Sequence, residues 1–216
     1  MKTKALCIAA LAAWGGITFA DAQQQSTGYF FHEFTSGKVM LRNKQFAKGK
    51  FNYDCINKEM HFLNGATDMV VENLEDIDTV AIDKHRFIPF EGHFLEVLTG
   101  PQNATLFIDW KVKATNMGKK GAMGTVTQGS VQAIDVNTRY QRVNGEQNLD
   151  LSVYKMTTEN TYYIYMEGRM RKFRNAKTLL SLFPKEKQQE MKAFMESEKI
   201  DFDSPETLLK VLGRFQ

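Results

Sequence analysis

Cysteine is scarce, neither sign of charge dominates, and no apolar run is long. The only cysteines among 216 residues are Cys7 and Cys55. Cys7 falls in the amino-terminal leader described below, so Cys55 has no partner for an internal disulfide. A lone cysteine is more often a small buried hydrophobe than a nucleophile. The apolar run Ala5 to Ile17 is shorter than the roughly 20 residues a membrane-spanning helix needs, and no later segment is longer. The 28 Lys and Arg stand against 25 Asp and Glu, which excludes the basic excess of a nucleic-acid binder.

Catalytic signatures are missing too. There is no Gly-x-Ser-x-Gly, and Gly129-Ser130-Val131 lacks the strand-to-helix elbow that exposes a nucleophile. The four histidines are His32, His61, His85 and His93. The densest group runs His85-Arg86-Phe87-Ile88-Pro89-Phe90-Glu91-Gly92-His93, with Glu96 beyond. Its spacing matches no metal motif, although a hairpin could bring the two imidazoles together. No cofactor is expected.

What is present begins with an address. Lys2 and Lys4 form a basic start, Ala5 to Ile17 an apolar middle, and Ala20-Asp21-Ala22-Gln23 a small-x-small end. This order is that of a secretory signal peptide, cut between Ala22 and Gln23, because signal peptidase admits only small side chains at Ala20 and Ala22. Residues 1–22 are therefore read as leader and the mature chain as 194 residues, Gln23 to Gln216. Lys2, Lys4 and Asp21 leave with the leader, so 26 basic and 24 acidic side chains remain. No transmembrane segment follows cleavage, and the expected location is periplasmic or at the cell surface.

The mature chain divides by pattern. Residues 23–173 read as β-rich. Short alternating runs at 38–42, 46–53, 59–63, 67–71, 78–83, 86–90, 93–98 and 105–112 are separated by turn residues. Asn64-Gly65 and Glu167-Gly168 sit where hairpins should turn. Residues 114–148 carry five glycines and little apolar bulk, and read as a long loop. Residues 174–216 read as helical. Asn175 is an N-cap, Pro184 restarts the chain at a first helical position, and Ser204-Pro205 opens a last helix with Leu208, Leu212 and Phe215 on one face. Such short helices need a sheet to dock on. The expected fold is α+β: an antiparallel curled β-meander, or partly open barrel or roll, followed by two to three C-terminal helices packed on it.

Two basic clusters are candidate partner contacts. Lys119 and Lys120 lie in Gly118-Lys119-Lys120-Gly121-Ala122-Met123-Gly124, which has the glycines of a phosphate loop but no helix after it, so a flexible basic loop is the better reading. Arg169 and Arg171 share one strand face and could fork onto an anion, or could simply guard a sheet edge with charge. Aromatics on the strands (Phe51, Tyr53, Phe94, Trp110, Tyr163, Tyr165) are read first as core and second as the lining of a cleft.

Gly37-Lys38-Val39-Met40-Leu41, Phe51-Asn52-Tyr53-Asp54, Lys58-Glu59-Met60-His61-Phe62, Arg86-Phe87-Ile88-Pro89 and Phe183-Pro184-Lys185, taken in order, resemble a family of uncharacterised secreted proteins of Bacteroidota. Ile82-Asp83, Phe94-Leu95-Glu96-Val97, Gly118-Lys119-Lys120-Gly121-Ala122 and Lys199-Ile200-Asp201-Phe202 fit the same order. The resemblance covers nearly all of the mature chain. It implies a periplasmic or surface location in a Gram-negative cell and brings no activity and no catalytic residues. The favoured expectation is a non-enzymatic binding or interaction module of the cell envelope, with an envelope protein, glycan or lipid component as partner. The alternatives are a secreted enzyme acting on carbohydrate or lipid, and a small outer-membrane β-barrel.

Overall fold

The computed structural model describes residues 28–116 and 154–216. Ten strands form one antiparallel sheet in the order β12-β11-β8-β7-β6-β5-β1-β2-β3-β4, and β9 with β10 forms a separate ribbon. Two four-stranded meanders make up most of the sheet. The first is β1 (Thr35–Leu41), β2 (Phe46–Asp54), β3 (Glu59–Asn64) and β4 (Thr67–Val70); the second is β5 (Ile77–Ile82), β6 (His85–Phe90), β7 (His93–Thr99) and β8 (Thr105–Asp109). They join where β1 pairs with β5, and the hairpin of β11 (Thr161–Met166) and β12 (Arg169–Phe173) extends the sheet beyond β8.

Turn chemistry fixes this register. Glu91-Gly92 and Glu167-Gly168 each hold two successive positive φ angles, so the flanking pairs Phe90 with His93 and Met166 with Arg169 close two-residue hairpins. At the β3–β4 turn only Gly65 is left-handed, and Asn64 already pairs with Thr67 as strand. Pro89 lacks an N–H, and β6 pairs with β5 only through His85, Arg86 and Phe87, so the proline lies where that ladder has ended. Gly37 is required by contact: a Cβ there would stand 2.6 Å from the Ala81 carbonyl oxygen across the β1–β5 junction.

The sheet curls without closing, with β4 and β12 as its edges. Tyr53 on β2 donates to the Phe94 carbonyl on β7 at 3.2 Å, and Lys58 in the β2–β3 turn reaches Asp109 at the end of β8 at 2.7 Å. The inner side of this roll is filled by Phe51, Tyr53, Met60, Val80, Ile82, Phe87 and Phe94. A second core lies on the β8–β11–β12 wing, where Leu106, Ile108, Tyr162, Ile164 and Phe173 are covered by three helices. These are α1 (Ala176–Leu180), α2 (Lys185–Ser197) and α3 (Pro205–Phe215). The α+β layout with C-terminal helices is thus the observed one.

The helix signals carry over with one shift. Asn175 accepts from the Thr178 amide in a capping box. Pro184 is itself the N-cap of α2 rather than its first residue, because its ψ of 149° is still extended. Pro205 does occupy the start of α3, whose stripe of Leu208, Leu212 and Phe215 is buried.

Two expectations need correction. The run 105–112 is not one strand: β8 stops at Asp109, and β9 (Val112–Asn116) pairs with β10 (Tyr154–Thr158) instead. Apolar alternation continues through Ile108, Trp110 and Val112, so the pattern hides the change of partner. The backbone shows it: the Lys111 amide donates to the Asn160 side chain, and the Val112 amide to the Cys55 carbonyl. Ala114 to Asn116, counted as the start of the glycine-rich loop, are the end of β9. The rest of that loop lies outside the described residues.

Candidate functional site

Where the chain changes sheets, the roll and the wing part company, and a cavity of about 750 Å³ opens between them. Trp110 packs against both cores and forms one wall. The ribbon contributes Val112 and Met156, β7 contributes Leu98, and α3 contributes Leu209. The remaining apolar wall is Phe30. It comes from a segment with no sequence signal of its own, which is nevertheless pinned along β2. The Phe30 amide donates to the Tyr53 carbonyl, the Cys55 amide to Gly28, and the buried Asn52 amide exchanges two hydrogen bonds with the Phe31 backbone.

The cavity holds one buried charged group. Glu96 is 1% exposed. Its Oε1 lies 2.5 Å from His85 Nδ1, and its Oε2 accepts from the Trp110 indole N–H at 2.7 Å. A buried carboxylate needs such donors. Both are supplied by the cavity wall itself, so the carboxylate, the imidazole and the indole are locked together. His85 is further held edge-on by Phe30 and Phe31, at ring separations of 4.9 and 5.3 Å. The β6–β7 register explains the pairing: Phe87 opposes Glu96, which places His85 diagonally from the carboxylate. The same register holds His93 at the opposite end of the hairpin, beside the Glu91-Gly92 turn, so the two imidazoles do not meet. Among the described residues there is no group of three or more metal-ligating side chains.

His93 belongs to another cluster. Its Nε2 stands 3.5 Å from Asp109 Oδ1, while Lys58 holds Oδ2. Burial alone would raise the Asp109 carboxyl; His93 and Lys58 outweigh it and hold the group below its ordinary 3.8. Nearby, burial and then the Cys55 and Asp109 charges push the Tyr53 phenol well above its ordinary value. Cys55 itself is buried, as expected of a lone cysteine, with its Sγ 3.9 Å from the Tyr53 carbonyl.

The residues singled out from sequence disperse. Arg169 and Arg171 stand on β12, an edge of the sheet, and Arg171 is tied to Glu167 at 2.7 Å. Ala20, Ala22, Gln23, Lys119 and Lys120 lie outside the described residues. Phe51, Tyr53 and Phe94 are core, while Tyr165 is 56% exposed on the far side of the wing. Of the aromatics named, Trp110 alone lines the cavity. A wider depression of about 870 Å³ between α1 and α2 is lined by Leu180, Met195 and Ile200 with lysines around it, and has no buried charge to orient a ligand. No protein-family model matches this chain, and no curated protein or solved structure is significantly similar to it.

Proposed function

We propose that this is an exported, non-enzymatic binding protein of the cell envelope, and that the Trp110 cavity is where it holds its ligand. The observation that carries the reading is the cavity's construction. Its volume falls in the range of small-molecule sites, its walls set Phe30, Leu98, Trp110, Met156 and Leu209 beside threonine, asparagine and lysine side chains, and the buried Glu96 is pre-oriented by His85 and Trp110. Export rests on the leader pattern and on the resemblance to secreted proteins. Among the described residues β4 and β12 are open edges of the sheet, which weighs against a small outer-membrane barrel, since hydrocarbon does not tolerate open ladders.

Native mass spectrometry on protein taken from its own cells tests both halves. The expected product begins at Gln23 and carries a bound envelope component, and a Leu98→Phe variant, which narrows the cavity, loses that component. A product beginning at Met1 overturns export. Equal loading of wild type and variant overturns the cavity as the binding site.

The enzyme alternative draws on the same pair, because a carboxylate bound to one imidazole nitrogen is the arrangement that orients a general base. Ester or glycan turnover by the wild type that disappears in His85→Gln would replace the binding reading with this one.

A further inference from the structure

From Phe34 to Tyr53 the chain carries five cations, Lys38, Arg42, Lys44, Lys48 and Lys50, and no acid. The β1–β2 hairpin turns this composition into a face. Val39 and Phe51 pack into the core of the roll, so strand alternation points Lys38, Lys48 and Lys50 outward. Register then aligns the charges. Lys38 stands directly opposite Lys48 on β2 and opposite Ala81 on β5, and Ala81 stands opposite Arg86 on β6. Val80, Ile82 and Phe87 fill the core, so Ala81 and Arg86 share the outward side. Three cations therefore lie in one row across four strands, about 15 Å from end to end, with Lys50 two residues further along β2.

Like charges directly opposite across a ladder are destabilising. Among the described residues none of Lys38, Lys48, Lys50 and Arg86 forms an ion pair that would relieve the row. The acids of the adjoining strand, Asp78 and Asp83, lie toward its two ends and outside the row. Beside the cations Phe46 is 60% exposed, and the Lys38 ammonium stands 5.7 Å from its ring. Phe46 opposes Met40, two residues from Lys38 and Lys48, so the ring shares their face. An exposed ring among unpaired cations fits the interface of an anionic bilayer, where the ring leaves water and the ammonium groups stay among the phosphates. A polyanion in water would use the cations and leave the ring idle.

We propose that the outer face of the β1–β2 hairpin docks the protein on an anionic membrane surface. Glu96 of the Trp110 cavity opposes Phe87 on the inner side of the sheet, so the two surfaces face apart and the proposal goes beyond the cavity reading. Each basic side chain at such a surface contributes about fivefold to partitioning. Taking a ring of this exposure out of water contributes about tenfold.

The test is flotation with two kinds of vesicle, pure phosphatidylcholine and equal parts phosphatidylcholine and phosphatidylglycerol. Protein purified from its own cells should float with the mixed vesicles and stay behind with phosphatidylcholine alone. Lys48→Gln/Lys50→Gln should weaken partitioning to the mixed vesicles about 25-fold, and Phe46→Ser about tenfold. Lys185→Gln/Lys210→Gln removes the same charge from exposed positions on α2 and α3 and should leave partitioning within about twofold. All of these side chains are exposed, so the variants should keep the wild-type melting midpoint, which separates lost docking from a lost fold. Equal flotation with both vesicles, no flotation, or an equal loss in the α2–α3 pair overturns the proposal. Full binding by Phe46→Ser, with heparin competing the protein off the vesicles, also overturns it and makes the occupant a polyanionic chain.

Discussion

The roll and the wing solve the same burial problem by different means. In the wing, Leu208, Val211, Leu212 and Phe215 of α3 with Met191 and Met195 of α2 lie on Ile108, Tyr162, Ile164 and Phe173. Helices satisfy their own backbone groups, so an apolar stripe is all they must supply. In the roll, strand ends, a turn and the Gly28–Phe34 segment come together over an incompletely closed sheet. Their backbone groups need partners from side chains. Asn52 and Asp54 are buried there on the backbone of Phe31, Ile56 and Asn57, while Glu96, Asp109 and His61 are buried on side-chain partners; Thr161 is the buried polar residue of the wing. Asn52 and Asp54 thus anchor segments that have no ladder of their own, and the cavity sits beside them.

The sharpest way to break the comparison is to empty each core in turn. Phe87→Ala in the roll and Leu212→Ala in the wing should each lower stability by about 3–5 kcal/mol. Because β7 gives Phe94 to one core and Leu98 to the other, and Trp110 packs against both, each change should shift a single urea transition. Trp110 fluorescence and far-ultraviolet circular dichroism should report the same midpoint. Two separated transitions in either variant would make roll and wing independent units, and the cavity an interdomain cleft.

Next in size is the buried carboxylate. Glu96→Gln keeps the shape, but turns an acceptor of two donors into a group that accepts from one and confronts the other with its own N–H. The expected loss is about 3 kcal/mol, with a red-shifted, more accessible Trp110 emission as its local signature. His85→Gln should cost less, since the residue it replaces is 21% exposed by side chain. Equal stability of Glu96→Gln and wild type would mean that His85 and Trp110 do not need the charge.

Much of the fold is legible in the sequence, and most of the site is not, for physical reasons. Alternation finds strands because each has one buried face, and Glu167-Gly168 finds its turn because glycine tolerates positive φ. The same alternation runs unbroken through Trp110, so the change of sheet that makes the cavity leaves no trace. Phe30 reaches its place through backbone bonds to Tyr53, and no local pattern encodes them. Glu96 and His85 are adjacent only through the β6–β7 register. The histidine-rich stretch points to the right hairpin, and the two imidazoles that a hairpin could bring together occupy opposite ends of it.

The Lys58–Asp109 tie, which pulls the first meander over the second, should show as acid sensitivity. Its carboxyl is held below 3.8, so it contributes stability that is fully present above that value and is lost as pH falls through the lowered folded value. Asp109→Asn should cost about 1–3 kcal/mol at pH 7. The gap between variant and wild type should stay constant down to about pH 5 and shrink below about 4. A gap that persists unchanged at the lowest pH would assign the loss to shape rather than to charge.

The wing offers the opposite titration and the smallest effect at neutral pH. Tyr162 is buried beside the α2–α3 connection and donates to the Phe202 carbonyl at 2.5 Å. Burial, only partly offset by Asn160, pushes its phenol up to about 12. A raised value favours the neutral form in the folded state, so its contribution is complete below pH 10 and disappears as pH rises through about 12. Tyr162→Phe should therefore lose only the hydrogen bond at pH 7, about 1 kcal/mol. Above pH 10 the wild type begins to lose roughly 2–3 kcal/mol that the variant does not, so the two stability curves should cross. Tyr53 titrates in both proteins and cancels in the difference. Curves that stay parallel to pH 12 would show that the phenol is open to solvent, and that α2 and α3 sit less firmly on the wing than the roll's anchored segment sits on its own sheet.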